Sequence, residues 1–116
     1  MIAIRSWGMY LIDLNPPRAT KPGKVRPCIC VQPDHFHDLG SSVILPLTSH
    51  MVENVQSFYP LRIRIPAGVG GLEQASDVLV DQLQAWDHRR FVTEIGFLPV
   101  YYQEQLRGAL REFLDL

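Results

Sequence analysis

Apolar and polar positions along the chain change their period once. From residue 7 to about residue 98 they fall in short runs rich in β-branched and aromatic residues, broken by Pro, Gly, Asn and Asp. WGMYLIDL (7–14) is a strand stopped by Asn15-Pro16-Pro17. A loop over 15–24 leads to RPCICVQ (26–32), a strand in which Pro27 is tolerable only because it stands at the start. PDHFHDLGS (33–41) is turn chemistry, and SVILPLTS (42–49) is a third strand, expected to be broken or bulged by Pro46. In LRIRI (61–65), Leu61, Ile63 and Ile65 alternate with Arg62 and Arg64, the period of a strand with one wet face. After the loop at 66–71, DVLVDQLQAWD (77–87) is one longer strand or two short ones, and FVTEIGFL (91–98) is another. Only beyond Pro99 does the spacing turn helical, with Leu106, Ala109, Leu110, Phe113 and Leu114 on one face. The pattern predicts about six short strands followed by one amphipathic helix of roughly 16 residues, which favours a compact barrel or curled sheet.

With 116 residues the chain is read as one domain, a barrel over about 1–98 and a helix over about 99–115, large enough to bury a core. Hydrophobic residues make up 47% and charged residues 20%, and no apolar run approaches the roughly 18–20 residues needed to span a bilayer. The N-terminal stretch contains Arg5 and Asp13 and lacks a small-residue cleavage site, so it is read as the first strand and not as a signal peptide. Cys28 and Cys30 lie two apart on a strand, share a face, and are too few for a structural zinc site without histidine partners. We read them as reduced, half-buried core residues of a cytoplasmic protein. The net charge of −1 argues against indiscriminate nucleic-acid binding through bulk charge. Its distribution is more telling: Arg18, Lys21, Lys24 and Arg26 form a cationic patch ahead of the second strand, while the acids gather later.

Each candidate for chemistry has a plainer alternative. Arg26, at the mouth of a core strand, has the planar and permanently charged group that suits a phosphate; the alternative is an edge arginine paired with a carboxylate. Thr48 ends a strand where its hydroxyl is placed either to donate to a phosphate oxygen or to bond local backbone. Asp81 and Gln82 interrupt an apolar run, as a proton acceptor and a base-reading amide, or simply as strand alternation. His35, His37 and His50 lack a carboxylate or thiol at metal-ligand spacing, so no metal site is expected; His37 is an acid–base candidate or a turn-surface residue. Trp7 is expected in the core, and Trp86, beside Asp87 and His88, is the better candidate to touch a ligand.

The ordered set WGMYLIDLNPPR, GKVRPCICVQPD, VILPLTS, GLEQASDVLVDQLQAWD and IGFL resembles the MazF/PemK family of toxin endoribonucleases across nearly the whole chain. The resemblance implies an SH3-like small barrel of the CcdB/PemK type, mainly β with a C-terminal helix. It implies that Arg26 is the catalytic arginine, Thr48 the active-site threonine, Asp81 a catalytic acidic position that either takes the 2′-proton or orients Arg26, and Gln82 an RNA contact. Arg18, Lys21, Lys24 and Trp86 are the further residues expected to touch RNA. Three positions depart from the family's pattern: Lys21 stands where glutamate is usual, Gln84 where arginine is usual, and no histidine occurs within 15–24.

The reaction so implied is cofactor-free and metal-independent cleavage of single-stranded RNA. The ribose 2′-hydroxyl attacks the neighbouring phosphorus to leave a 2′,3′-cyclic phosphate and a 5′-hydroxyl. The resemblance further implies a homodimer neutralised by a cognate antitoxin. Two other functions share the fold: a non-catalytic gyrase poison of the CcdB type, and a barrel that only binds RNA or protein. The first depends on a Trp-Gly-Ile ending, whereas this chain ends EFLDL.

Overall fold

The computed structural model describes residues 2–16 and 24–116. The described residues form seven strands and one α-helix: β1 Gly8–Asp13, β2 Val25–Cys30, β3 Ser41–Thr48, β4 Arg62–Ile65, β5 Ser76–Leu79, β6 Gln84–Asp87, β7 Phe91–Phe97 and α1 Val100–Leu114. They make one antiparallel sheet in the order β4-β5-β3-β2-β1-β7, with β6 also paired to β3. A curled antiparallel sheet with a C-terminal helix is the SH3-like barrel that the pattern and the resemblance led us to expect. Among the described residues, no helix is long and apolar enough to cross a membrane.

β3 organises the sheet because both β5 and β6 lie along its same edge. β6 pairs Ser41 to Ile44 and β5 pairs Leu47 and Thr48. The run 77–87 therefore divides into two strands around a 3-10 turn, Val80–Gln82, and the strand count is seven where about six were expected. The same hand-over corrects the expectation that Pro46 breaks the strand. β3 is continuous, with Pro46 opposite Cys28, because Leu45 and Pro46 fall between the segments paired to β6 and to β5. A missing N–H costs little where that edge has no ladder partner.

Apolar side chains fill both faces of β1–β3. One face carries Met9, Ile29, Leu45 and Leu47, which join Ile63, Ile65, Val78 and Val80 beneath Leu106 and Ala109 of α1. The other carries Tyr10, Ile12, Cys28, Cys30 and Ile44 with Leu14 and Phe91. Strands buried on both faces have near-continuous apolar runs, which is why WGMYLIDL and PCIC show little alternation. Cys28 and Cys30 are fully buried, deeper than the half-burial expected, and both thiols are free; burial pushes the Cys28 thiol well above its ordinary pKa. Along α1, Leu106 and Ala109 are buried and Leu110 packs on them, but Phe113 and Leu114 lie exposed. Gly71, at φ +85, lies against β7 so closely that a Cβ there would stand 1.9 Å from the Ile95 carbonyl oxygen. That contact sets one wall of a cleft at the mouth of β2.

Candidate active site

The start of β2 and the end of β3 meet at one end of the barrel. Arg26 is half-buried, paired with Ile12 of β1, and its Nη1 donates to the Leu47 carbonyl at 3.5 Å, a long bond. Continuing the β2–β3 register two residues past Cys28–Pro46 sets Arg26 beside Thr48 with both side chains on the same face. Thr48 is 6% exposed, and its Oγ1 accepts the His50 N–H at 3.1 Å. The local backbone bond anticipated for it is therefore present, and it leaves the hydroxyl proton to donate elsewhere.

On its other side Thr48 is paired with Asp77 of β5, and Asp77 with Arg64 of β4. Paired antiparallel residues share a face, so Arg26, Thr48, Asp77 and Arg64 form a row across four strands. Asp77 has no exposed surface. Its Oδ1 accepts Arg64 Nε at 2.8 Å, and its Oδ2 accepts Val52 N–H at 3.1 Å, Arg62 Nη1 at 3.3 Å and Arg64 Nη2 at 3.3 Å. Burial alone would raise its pKa, but the Arg64 hydrogen bonds, the Val52 N–H, the Arg64 charge and the Arg62 hydrogen bond outweigh it and hold the carboxyl below the ordinary value. A carboxylate this fully bonded is not placed to take a proton. The alternation in LRIRI predicts a wet face for Arg62 and Arg64, and the structure instead turns both onto the Asp77 carboxylate. An acid opening an apolar strand, and arginines two apart on another, were the signals that pointed to the cluster.

Asp81 and Gln82 sit in the 3-10 turn, Asp81 exposed and Gln82 half-buried. The β3–β5 register places this turn beside Ile44 and Leu45, roughly 10 Å along β3 from Thr48. No hydrogen bond or ion pair among the described residues joins Asp81 to Arg26. Lys24 is exposed at the cleft, its backbone tied to Asn15 Oδ1 at 2.7 Å. Arg18 and Lys21 lie outside the described residues. Trp86 faces the opposite end of β3, paired with Ser42, half-buried against the second core, with the Arg90 guanidinium 5.5 Å from its ring centre. His37 is likewise remote from the cleft: its Nδ1 lies 3.0 Å from Ser42 Oγ, which is 2.7 Å from His88 Nε2. The cleft itself encloses about 310 Å³, with Lys24, Arg26, Ser49, Gln74 and Ser76 around a floor of Leu47 and Leu72.

The sequence profile of PemK-like, MazF-like toxins of type II toxin–antitoxin systems matches residues 5–114. The chain belongs to this family. Among curated relatives of this PemK/MazF-like toxin, Endoribonuclease MazF9 of Mycobacterium tuberculosis is 28% identical, covering 97% of this chain and 98% of that protein. Endoribonuclease EndoA of Bacillus subtilis is 24% identical, covering 97% and 96%. The crystal structure of MazF from Deinococcus radiodurans superposes with a TM-score of 0.83 at 21% identity, covering the whole of both chains. A MazE–MazF structure from the same organism superposes with a TM-score of 0.76, also at 21% identity, covering 99% of both chains. At that identity the structural likeness establishes the fold, and it is the fold the resemblance implied. For a toxin of this family, the β2–β3 register, continued two residues, brings two of the three candidate catalytic residues, Arg26 and Thr48, side by side. The third, Asp81, stands in the turn between β5 and β6.

Proposed function

We propose that this toxin is an endoribonuclease that cleaves single-stranded RNA, with Arg26 and Thr48 at its reacting centre. The observation that carries the reading is their adjacency on the continued β2–β3 register in a chain of this family, whose curated relatives are named endoribonucleases. The reaction needs charge on the pentavalent phosphorane neutralised, the 2′-proton removed and the 5′-oxygen helped to leave. A guanidinium fixed on a strand start holds its positive charge where the phosphorane forms, and it can donate to the leaving oxygen. It has no lone pair to serve as a base. The Thr48 hydroxyl holds a non-bridging phosphate oxygen with its remaining proton. Asp81, exposed across the face, takes the 2′-proton; the roughly 10 Å of strand between it and Thr48 is the room in which the scissile ribose and phosphate lie. Gln82 reads a base edge, and Lys24, Arg18 and Lys21 contact flanking phosphates, with Trp86 at the far end of the track. Chemistry built on the 2′-hydroxyl needs no metal and no cofactor. The toxin acts as a homodimer with the RNA groove along its interface, and an acidic antitoxin segment occupies that groove to silence it.

The test is to incubate the purified protein, and Arg26→Ala beside it, with a long single-stranded RNA in EDTA and to map the new 5′ ends. Discrete cuts bearing 5′-hydroxyl groups, absent with the variant, support the reading and give the cleavage motif. Intact RNA with both proteins overturns it and turns the search to gyrase and protein partners.

A further inference from the structure

The Asp77–Arg62–Arg64 cluster takes no part in the reaction as written, yet it borders Thr48 directly. Two arginines beside a proposed RNA face suggest a phosphate site, but their described bonds run elsewhere. Arg62 Nη1 donates to the His50 carbonyl at 3.2 Å and to Asp77. Arg64 donates through Nε and Nη2 to Asp77 and through Nη2 to the Val52 carbonyl. Asp77 in turn accepts the Val52 N–H. These bonds join β4 to β5 and tie both to the turn that follows Thr48. Within that turn, His50 is held at its carbonyl by Arg62 while its N–H donates to Thr48 Oγ1 at 3.1 Å.

We propose that Asp77, with Arg62 and Arg64, is a positioning brace that fixes the His50–Val52 turn and, through the His50 N–H, the hydroxyl of Thr48. A hydroxyl has one donor and two acceptor positions and rotates to suit its partners. A backbone N–H locked onto one acceptor position limits that rotation and leaves the proton for the substrate phosphate. The lock is only as stiff as the peptide that carries it. A carboxylate gripped by two guanidiniums in an unexposed setting is a stiff anchor, since charge-assisted bonds are about twice as strong as neutral ones. Removing one partner leaves an uncompensated charge in place. The arginines act here through Thr48 and not on RNA.

The proposal rests on the endoribonuclease reading, and two measurements separate the failure of one from the failure of the other. The first is a kinetic cycle of Asp77→Asn, Thr48→Ala and the double variant on an RNA oligonucleotide carrying the mapped site, with Arg62→Gln as a gentler variant should Asp77→Asn not fold. The brace predicts that Asp77→Asn or Arg62→Gln lowers kcat about 10- to 100-fold, the loss of one or two hydrogen bonds to charged groups, with KM nearly unchanged. In the Thr48→Ala background the same change has almost no further effect. Fully additive losses overturn the brace, as does a raised KM at constant kcat, which makes the arginines RNA contacts instead. The second is amide hydrogen exchange, which needs no activity. The His50 and Val52 amides exchange faster in the variants while β1 and β2 stay protected. Unchanged exchange at both amides overturns the brace even in an active enzyme. A wild-type protein that cleaves no RNA overturns the nuclease reading, and with it any catalytic role for the brace, whatever the exchange shows.

Discussion

Asp77 and Asp81 stand four residues apart in SDVLVDQL, and in the sequence they look alike: each is an acid set in an apolar run. In the fold their surroundings are opposite. Asp77 lies within the ladder between β4 and β3, has no exposed surface, and accepts four hydrogen bonds, three of them from two arginines. Asp81 lies just past the end of β5, exposed in a 3-10 turn. A buried carboxylate held by several donors ties neighbouring segments together, whereas an exposed one can accept a proton from an arriving hydroxyl, the role proposed for Asp81. Distance from Thr48 alone would have assigned them the other way round, because Asp77 is its direct cross-strand neighbour.

Replacing each carboxylate in turn separates the two. The largest effect is expected at Asp81, where Asn should slow RNA cleavage by about 10²- to 10⁴-fold, the range for a lost general base. Its unfolding free energy should stay within about 0.5 kcal/mol of wild type, as for other exposed positions. Cleavage at the wild-type rate would remove Asp81 from the mechanism. Asp77→Ala should instead destabilise the fold by about 3–5 kcal/mol in denaturant titration, because it strands two arginine charges around an emptied site. A change below about 0.5 kcal/mol, the size seen at exposed sites, would show that the cluster is no anchor. Arg64→Lys should cost less, about 1.5–3 kcal/mol, since an ammonium cannot span both carboxylate oxygens and the Val52 carbonyl as the guanidinium fork does. Acid should produce the smallest and most gradual change. The folded pKa of Asp77 is depressed, so its contribution is fully present above the ordinary value of 3.8 and is lost as pH falls through the lower folded value. The wild-type melting temperature should therefore fall more steeply below about pH 4 than that of Asp77→Asn. Parallel curves would contradict the direction of that shift.

How much of this was legible in the sequence depends on the range of the interactions concerned. The strands and the helix were, because period-2 and helical spacing are local properties of residues such as Ile63 and Ile65 or Leu106 and Ala109. Arg26 and Thr48 entered as candidates through the family resemblance, and the β2–β3 register, continued two residues, sets them side by side. What stayed hidden depends on contacts between distant segments. Pro46 is harmless only because β5 and β6 share one edge of β3. Asp77 becomes an anchor only when β4 places Arg64 opposite it and the turn after β3 brings Val52 to it. The His37–Ser42–His88 chain likewise joins residues that the sequence keeps 46 positions apart in its widest link. No local pattern encodes these meetings; strand register does.

In the proposed reaction, the face bearing Arg26 and Thr48 cleaves RNA through the substrate's own 2′-hydroxyl. The most direct test uses an oligonucleotide carrying the mapped cleavage site and its twin with a single 2′-deoxyribose on the 5′ side of the scissile bond. The account predicts rapid cleavage of the first to a 2′,3′-cyclic phosphate, and no cleavage of the second at that bond. Cleavage of the deoxy-substituted strand at the same bond and a similar rate would contradict it.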